Sequence, residues 1–187
     1  MEIRKYNNCE FSDCGKILSN NEIDLFEKKK NIIFPSDYRQ FLKEIDGGIP
    51  YIKNVFYLHE QPSADIGVQN TNYDYYIDDD CFYVDELFGL FPTEGGTSIL
   101  FLTEHLYILD VPDSRSFIMI GNVESLPLYM SLSSQYYGNI FLGEYPFGTF
   151  DPSTSNNSEN NDLFEIHIDD RIAHTFTGFL NMLQKHI

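Results

Sequence analysis

The chain has no tryptophan, three cysteines, and almost no positive charge beyond its first third. Each shortage excludes something. Cys9, Cys14 and Cys81 cannot all pair within one chain, and four residues separate Cys9 from Cys14, wider than a thioredoxin-type pair. No second pair completes a zinc site, so free thiols in a reducing cytoplasm are expected. No apolar run approaches the ~20 residues of a membrane-spanning helix. The opening MEIRKYNNCEF lacks the apolar core of a secretory signal. Residues 1–53 balance nine basic against nine acidic side chains, whereas residues 54–187 hold three basic and twenty acidic, the whole of the net charge of −17. Between Lys53 and Arg171 the only basic residue is Arg115. Such a field repels nucleic-acid phosphate and anionic lipid and attracts a basic partner. An anionic cofactor would find little countercharge there, and no cofactor is expected. The chain also offers no G-x-S-x-G elbow, no Walker loop and no G-x-G-x-x-G after a strand.

What is present is a ring-rich core: hydrophobic residues make up 42%, with 16 Phe and 13 Tyr, too much apolar matter for a disordered chain. A length of 187 residues is most simply one domain, 1–187. Ser19 with Glu22 forms a capping box that starts a helix running to about Lys30, with Leu18 stapled on Ile23. A second helix begins at Pro35-Ser36-Asp37, with Ser36 as its cap. Tyr38, Phe41, Leu42 and Ile45 form its apolar face. Gly47 or Gly48 should close it in a left-handed conformation, and Pro50 blocks a restart. Residues 1–16 show little periodicity. Strands are predicted over 54–60, within 81–90, and over 117–121, 127–132 and 139–143; residues 97–109 read equally as helix or strand. A polar tract at 151–162 reads as a flexible loop. Thr175 caps a last helix carrying Phe176, Phe179, Leu180 and Leu183, with Gly178 a mid-helix defect of roughly 0.5–1 kcal/mol. Helices, then strands, then a helix give an α+β fold: one mostly antiparallel sheet flanked by two N-terminal helices and a C-terminal helix.

Candidate chemistry is sparse. Asp78, Asp79 and Asp80 lack the spacing of a calcium loop and read as a solvated acidic run, so no metal is expected. His167, Asp169, Asp170 and His174 are the densest set able to do acid-base work, but alternation in FEIHI turns His167 to solvent. His59, His105 and His186 have no sequence-level partner, and no catalytic residue is assigned.

The stretch FPSDYRQFLKEIDGGIP (34–50) resembles the signature of the SUKH superfamily, a Leu-Pro-x-x-Tyr followed by Phe-Leu and then Asn-Gly-Gly with a nearby Pro. Pro35, Tyr38, Phe41, Leu42, Gly47, Gly48 and Pro50 match it; Phe34 replaces the leucine and Asp46 the asparagine. Looser similarities are Glu27, Ile118 to Asn122, Tyr129 to Leu132, Gly138 to Phe141, and Ala173 with Thr175-Phe176 and Phe179-Leu180. The resemblance implies a curved sheet flanked by helices and a non-catalytic, protein-binding role, with the signature residues as scaffold and the acidic stretch around 60–86 as this chain's own insertion. The leading expectation is an immunity protein that binds and neutralises a cognate toxin domain, a basic one given the charge. The alternatives are a regulatory scaffold of the cell-wall-synthesis type, and an enzyme with an unrecognised His/Asp or carboxylate site. Tyr73, Asp74, Tyr75, Tyr76, Asp78, Asp79, Asp80, Tyr83, Asp85 and Glu86 are the candidate partner-binding residues, because acidic side chains meet a basic surface and tyrosines anchor interfaces.

Overall fold

The computed structural model describes residues 2–57, 81–91, 117–124, 126–142 and 171–185. Helix α1 (Asn20–Lys30) starts as its sequence requires: the Ser19 hydroxyl accepts the Glu22 N–H, and the Ser19 N–H donates to the Glu22 carboxylate at 2.8 Å. It ends on Asn31 in the left-handed region (φ 54), after three lysines that suit the negative end of the helix dipole.

Helix α2 (Ser36–Glu44) departs from expectation at its start. Ser36 is not its cap. Pro35 takes that position with no side-chain bond, its carbonyl accepting the Arg39 N–H at 2.8 Å, and Ser36 becomes the first helical residue. Proline presets φ, here −53°, so the chain enters the helix without a hydroxyl. The first turn is instead neutralised by Asp37, whose carboxylate accepts the Tyr38 N–H at 2.9 Å. Its other oxygen accepts the Thr177 N–H of the last helix at 2.8 Å, so one anion sits at two positive helix ends. At the C-terminus the first left-handed residue is Asp46 (φ 56), ahead of Gly47 (φ 85) and Gly48 (φ 136).

The expected inward face is buried: Tyr38, Phe41 and Leu42 are fully enclosed and Ile45 nearly so. Phe176 of α3 (Phe176–Met182) packs on both Tyr38 and Phe41 with ring centroids 4.9 Å apart. Thr175 caps α3 by accepting the Gly178 N–H at 2.9 Å. A Cβ on Gly178 would meet that same hydroxyl at 2.9 Å, so the glycine makes room for the cap.

The strands form two sheets, and every described pairing is antiparallel. The larger has the order β10-β4-β5-β6-β7-β8-β9: β4 is Lys53–Tyr57, β5 Cys81–Leu87, β6 Phe117–Val123, β7 Leu126–Ser131, β8 Ile140–Leu142, β9 Arg171–Ala173 and β10 Gln184–Lys185. This is an α+β fold with two N-terminal helices and a C-terminal helix on a curved antiparallel sheet. The helices cover the face bearing Phe56, Val84, Ile118, Met130 and Ile140, and Phe179 of α3 meets Phe56 at 5.6 Å. Val55, Tyr129 and Phe141 alternate to the opposite face and are buried too, outside that cluster.

The smaller sheet, β1 (Arg4–Tyr6), β2 (Cys9–Ser12) and β3 (Ile49–Pro50), lies where the sequence promised no regular element. Its hairpin turns at Asn7 (φ 55), a residue type that tolerates the left-handed region. Phe11 of β2 faces the core against Phe41, centroids 5.4 Å apart.

Phe41→Ala and Leu42→Ala are each expected to lower the unfolding free energy by about 2–5 kcal/mol through lost burial and the cavity left behind. Denaturant unfolding should show a lower midpoint at unchanged slope.

Candidate functional site

Three of the signature residues, Tyr38, Gly47 and Gly48, converge with Asp46 on one joint. Asp46, 1% exposed, presents Oδ1 to the Leu90 N–H at 2.6 Å and Oδ2 to the Phe91 N–H at 3.2 Å, while its carbonyl accepts the Gly15 N–H at 3.3 Å. Gly48 pairs with Leu87 through two backbone bonds of 2.8 and 2.9 Å. The backbones are too close for side chains: a Cβ on Gly89 would lie 2.0 Å from the Asp46 carbonyl oxygen, and one on Gly47 would lie 2.5 Å from the Gly89 nitrogen. Burial pushes the Asp46 carboxyl up to about 7, against the opposing pull of the two N–H groups and of Lys16. The Tyr38 hydroxyl donates to the Phe88 carbonyl at 3.3 Å, tying α2 to the same segment.

A second cluster fixes the corner between α1 and α2. Glu27 accepts the Phe34 N–H at 2.8 Å with one oxygen and pairs with Arg39 through the other. Arg39 also pairs with Asp24 and donates to the Asn20 carbonyl at 3.3 Å. From the far side Tyr137 donates to the Ile33 carbonyl at 3.1 Å, and Gly138 (φ 83) lies against Pro35. Tyr6 donates to the Asp37 carbonyl at 2.8 Å; burial, helped by Asp37 and Glu44, pushes its phenol up to about 12. Cys9 and Cys14 are free thiols directed at different carbonyls, of Leu180 and Phe11, and burial raises both.

Of the candidate partner-binding residues, Tyr73, Asp74, Tyr75, Tyr76, Asp78, Asp79 and Asp80 lie outside the described residues, as do most of the acidic stretch 60–86 and the tract 151–162. Tyr83, Asp85 and Glu86 are on β5. A bulge between Val84 and Glu86 turns Asp85 outward, where it is exposed, and leaves Tyr83 and Glu86 half-buried. The structure adds a carboxylate that the sequence did not single out. Glu124, in the tight β6–β7 turn with φ 49, donates its N–H to the Tyr83 carbonyl at 3.0 Å and accepts the Tyr83 N–H at 3.2 Å. His174 is exposed between β9 and α3, while His59, His105, His167, Asp169, Asp170 and His186 lie outside the described residues. Among the described residues no group of three or more His, Cys, Asp or Glu side chains is placed to hold a metal ion. No described helix is long and apolar enough to cross a membrane.

Residues 20–122, just over half of the chain, match the family described as SUKH_6, SMI1-KNR4 cell-wall. The chain belongs to this family. No curated protein and no solved structure matches it. The SUKH match takes in α1, α2, Asp46 with Gly47, Gly48 and Gly89, and the strands from β3 to Asn122 of β6; β1, β2 and Gly15 precede it, and the elements after Asn122 follow it. Within the matched span, Asp46 supplies the acceptor for the Leu90 N–H and is a residue type tolerant of positive φ. The partners of the Asp46 joint, Gly15 and Gly89, were missed because only tertiary contact makes them necessary. The glutamate at 27 acts as a half-buried acceptor for the inter-helix corner.

Two substitutions check this assignment. Glu27→Ala leaves the Phe34 N–H and Arg39 without their acceptor and is expected to cost about 1–3 kcal/mol, with Glu27→Gln costing less. Gly89→Ala, forced against the Asp46 carbonyl, should destabilise beyond the roughly 0.5 kcal/mol that bounds most surface changes, by about 1–3 kcal/mol or more. Chemical denaturation of both variants reads the two values.

Proposed function

We propose that this SUKH protein is a non-catalytic, cytoplasmic binding domain whose partner is a basic toxin domain, which it neutralises as an immunity protein. The observation that carries the reading is the charge segregation: three basic against twenty acidic residues after Lys53, in a chain balanced before it. An acidic surface occupies the region of a basic nuclease-type domain that would otherwise grip phosphate, and its field speeds encounter. The family signature supports the reading from the other side. Its residues are used in the core, the joint and the inter-helix corner, which leaves the acidic segments as the variable surface. Tyr83, Asp85 and Glu86, with the stretch from Tyr73 to Asp80, are the proposed contact residues.

A second reading, a regulatory scaffold of the cell-wall type, is favoured by the description of the matched family. The two separate on the partner. An immunity protein binds a toxin domain encoded beside its own gene and suppresses that domain's toxicity, whereas a scaffold does not.

Association with that toxin domain, followed by stopped flow across a salt series, is expected to slow steeply as salt rises. Replacing Asp78, Asp79, Asp80 and Asp85 together by asparagine should slow it further at low salt. Rates independent of salt and of these substitutions would move the interface elsewhere, and absence of binding at low salt would overturn toxin neutralisation.

A further inference from the structure

The three-stranded sheet has two faces, and strand register says which residues stand on each. Arg4 pairs with Phe11, Lys5 with Glu10, Phe11 with Pro50, and Ser12 with Ile49. Cys9, Phe11 and Pro50 are buried toward the core, where Tyr6 of β1 also meets Phe41. Alternation therefore puts Lys5, Glu10, Ser12 and Ile49 on the opposite face. The Tyr51 N–H donates to the Glu10 carbonyl at 2.8 Å, which carries the pairing one residue past β3 and puts Tyr51 on the side of Ile49. Ile3, two residues before Lys5, falls on that side too, across from Ser12.

An antiparallel sheet with one face on the core carries polar residues on the other. This one carries Ile3, Ile49 and Tyr51 there, 40%, 41% and 45% exposed. Ile52, at the bend that follows, is exposed as well, so four of the nine exposed large hydrophobic side chains among the described residues gather at one small sheet. Single exposed hydrophobics need no explanation; a group on one face does. The charged side chains that the register places on this face are Lys5 and Glu10, paired with each other at 2.7 Å.

That charge balance selects what can cover the face. A basic partner is drawn to the acid excess beyond residue 53, not to a face where one cation cancels one anion in a segment balanced nine to nine. A second copy fits it. Across a two-fold axis the face sets apolar residues on apolar residues and offers the Lys5 of each copy the Glu10 of the other. We propose that the outer face of the β1–β2–β3 sheet is a self-association surface, on which a second copy of this chain docks to form a reversible two-fold dimer. Strands ~4.8 Å apart and about four residues long give a face roughly 14 Å each way. That is well below the ~800 Å² per partner of a standard interface, so the dimer is a weak one. The net charge of −17 on each copy opposes the approach, and surface ion pairs offset little of it. Dimerisation therefore tightens as salt screens the repulsion, the reverse of the salt dependence of a basic partner.

The test is sedimentation velocity of the full chain, from low micromolar to near-millimolar concentration and across a salt series. The expected result is a monomer–dimer equilibrium that tightens as salt rises. Ile49→Glu and Tyr51→Glu each bring an anion into the interface twice, once per copy, and should weaken it about tenfold or more. Leu25→Glu, at an exposed position of α1, adds the same charge elsewhere and should leave the dissociation constant near the wild-type value. Circular dichroism checks that the variants fold, and should one sheet variant fail, the other decides. A monomer at every concentration and salt, a dimer that loosens as salt rises, or a dimer that the sheet variants weaken no more than Leu25→Glu does would each overturn the proposal. So would a monomer whose Ile49→Glu variant loses binding to the toxin domain, since the face would then belong to that partner.

Discussion

Gly89 passes so near the Asp46 carbonyl that a Cβ there would lie 2.0 Å from its oxygen, and the relation of the helices to the sheet depends on this passage. Two main chains can come that near only where both Cβ atoms are absent or turned away, so Gly15, Gly47 and Gly89 are required together. With the approach made, Gly48 can pair with Leu87, Tyr38 can reach the Phe88 carbonyl, and the aromatic face of α2 is delivered onto Phe176. A buried carboxylate without a counter-ion is a costly way to satisfy two N–H groups. It is retained at a position whose positive φ already restricts the choice to Asn, Asp or Gly.

Charge divides the chain by use. In the first 53 residues acids are spent locally: Glu10 on Lys5, Glu22 on Lys16, and Asp24 and Glu27 on Arg39. Most of these pairs are exposed and contribute little to stability, but Glu27 is nearly buried and carries a backbone bond as well. Beyond residue 53 three basic residues stand against twenty acidic ones. The acid–base pairing that braces the scaffold is thus concentrated in the first 53 residues, and the excess of acid in the rest.

Legibility followed the range of the interactions. The capping box of α1 was readable because Ser19 and Glu22 are three residues apart and settle the matter between themselves. Ser36 misled for the same local logic. A hydroxyl before a helix is a good cap, yet Pro35 already set the entry, and Asp37 neutralised the first turn while reaching 140 residues ahead to Thr177. The β1–β2 hairpin went unread because its three- and four-residue strands alternate too briefly to register, although the Asn7-Asn8 pair was a usable turn signal. Tyr83, Asp85 and Glu86 became candidates from composition; the bulge that separates exposed Asp85 from half-buried Glu86, and the approach of Glu124 to Tyr83, had no sequence signal.

The sequence by itself determined the α+β class, the inward face of α2, the caps of α1 and α3 and the segregation of charge, since periodicity, capping and composition act within a few residues of chain. Only the tertiary structure decided that Asp46 is a buried joint, that Gly15 and Gly89 are its walls, and that Glu27 holds a corner. Those roles arise from contacts between segments tens of residues apart, and a short motif cannot encode which distant backbone will come to rest against it.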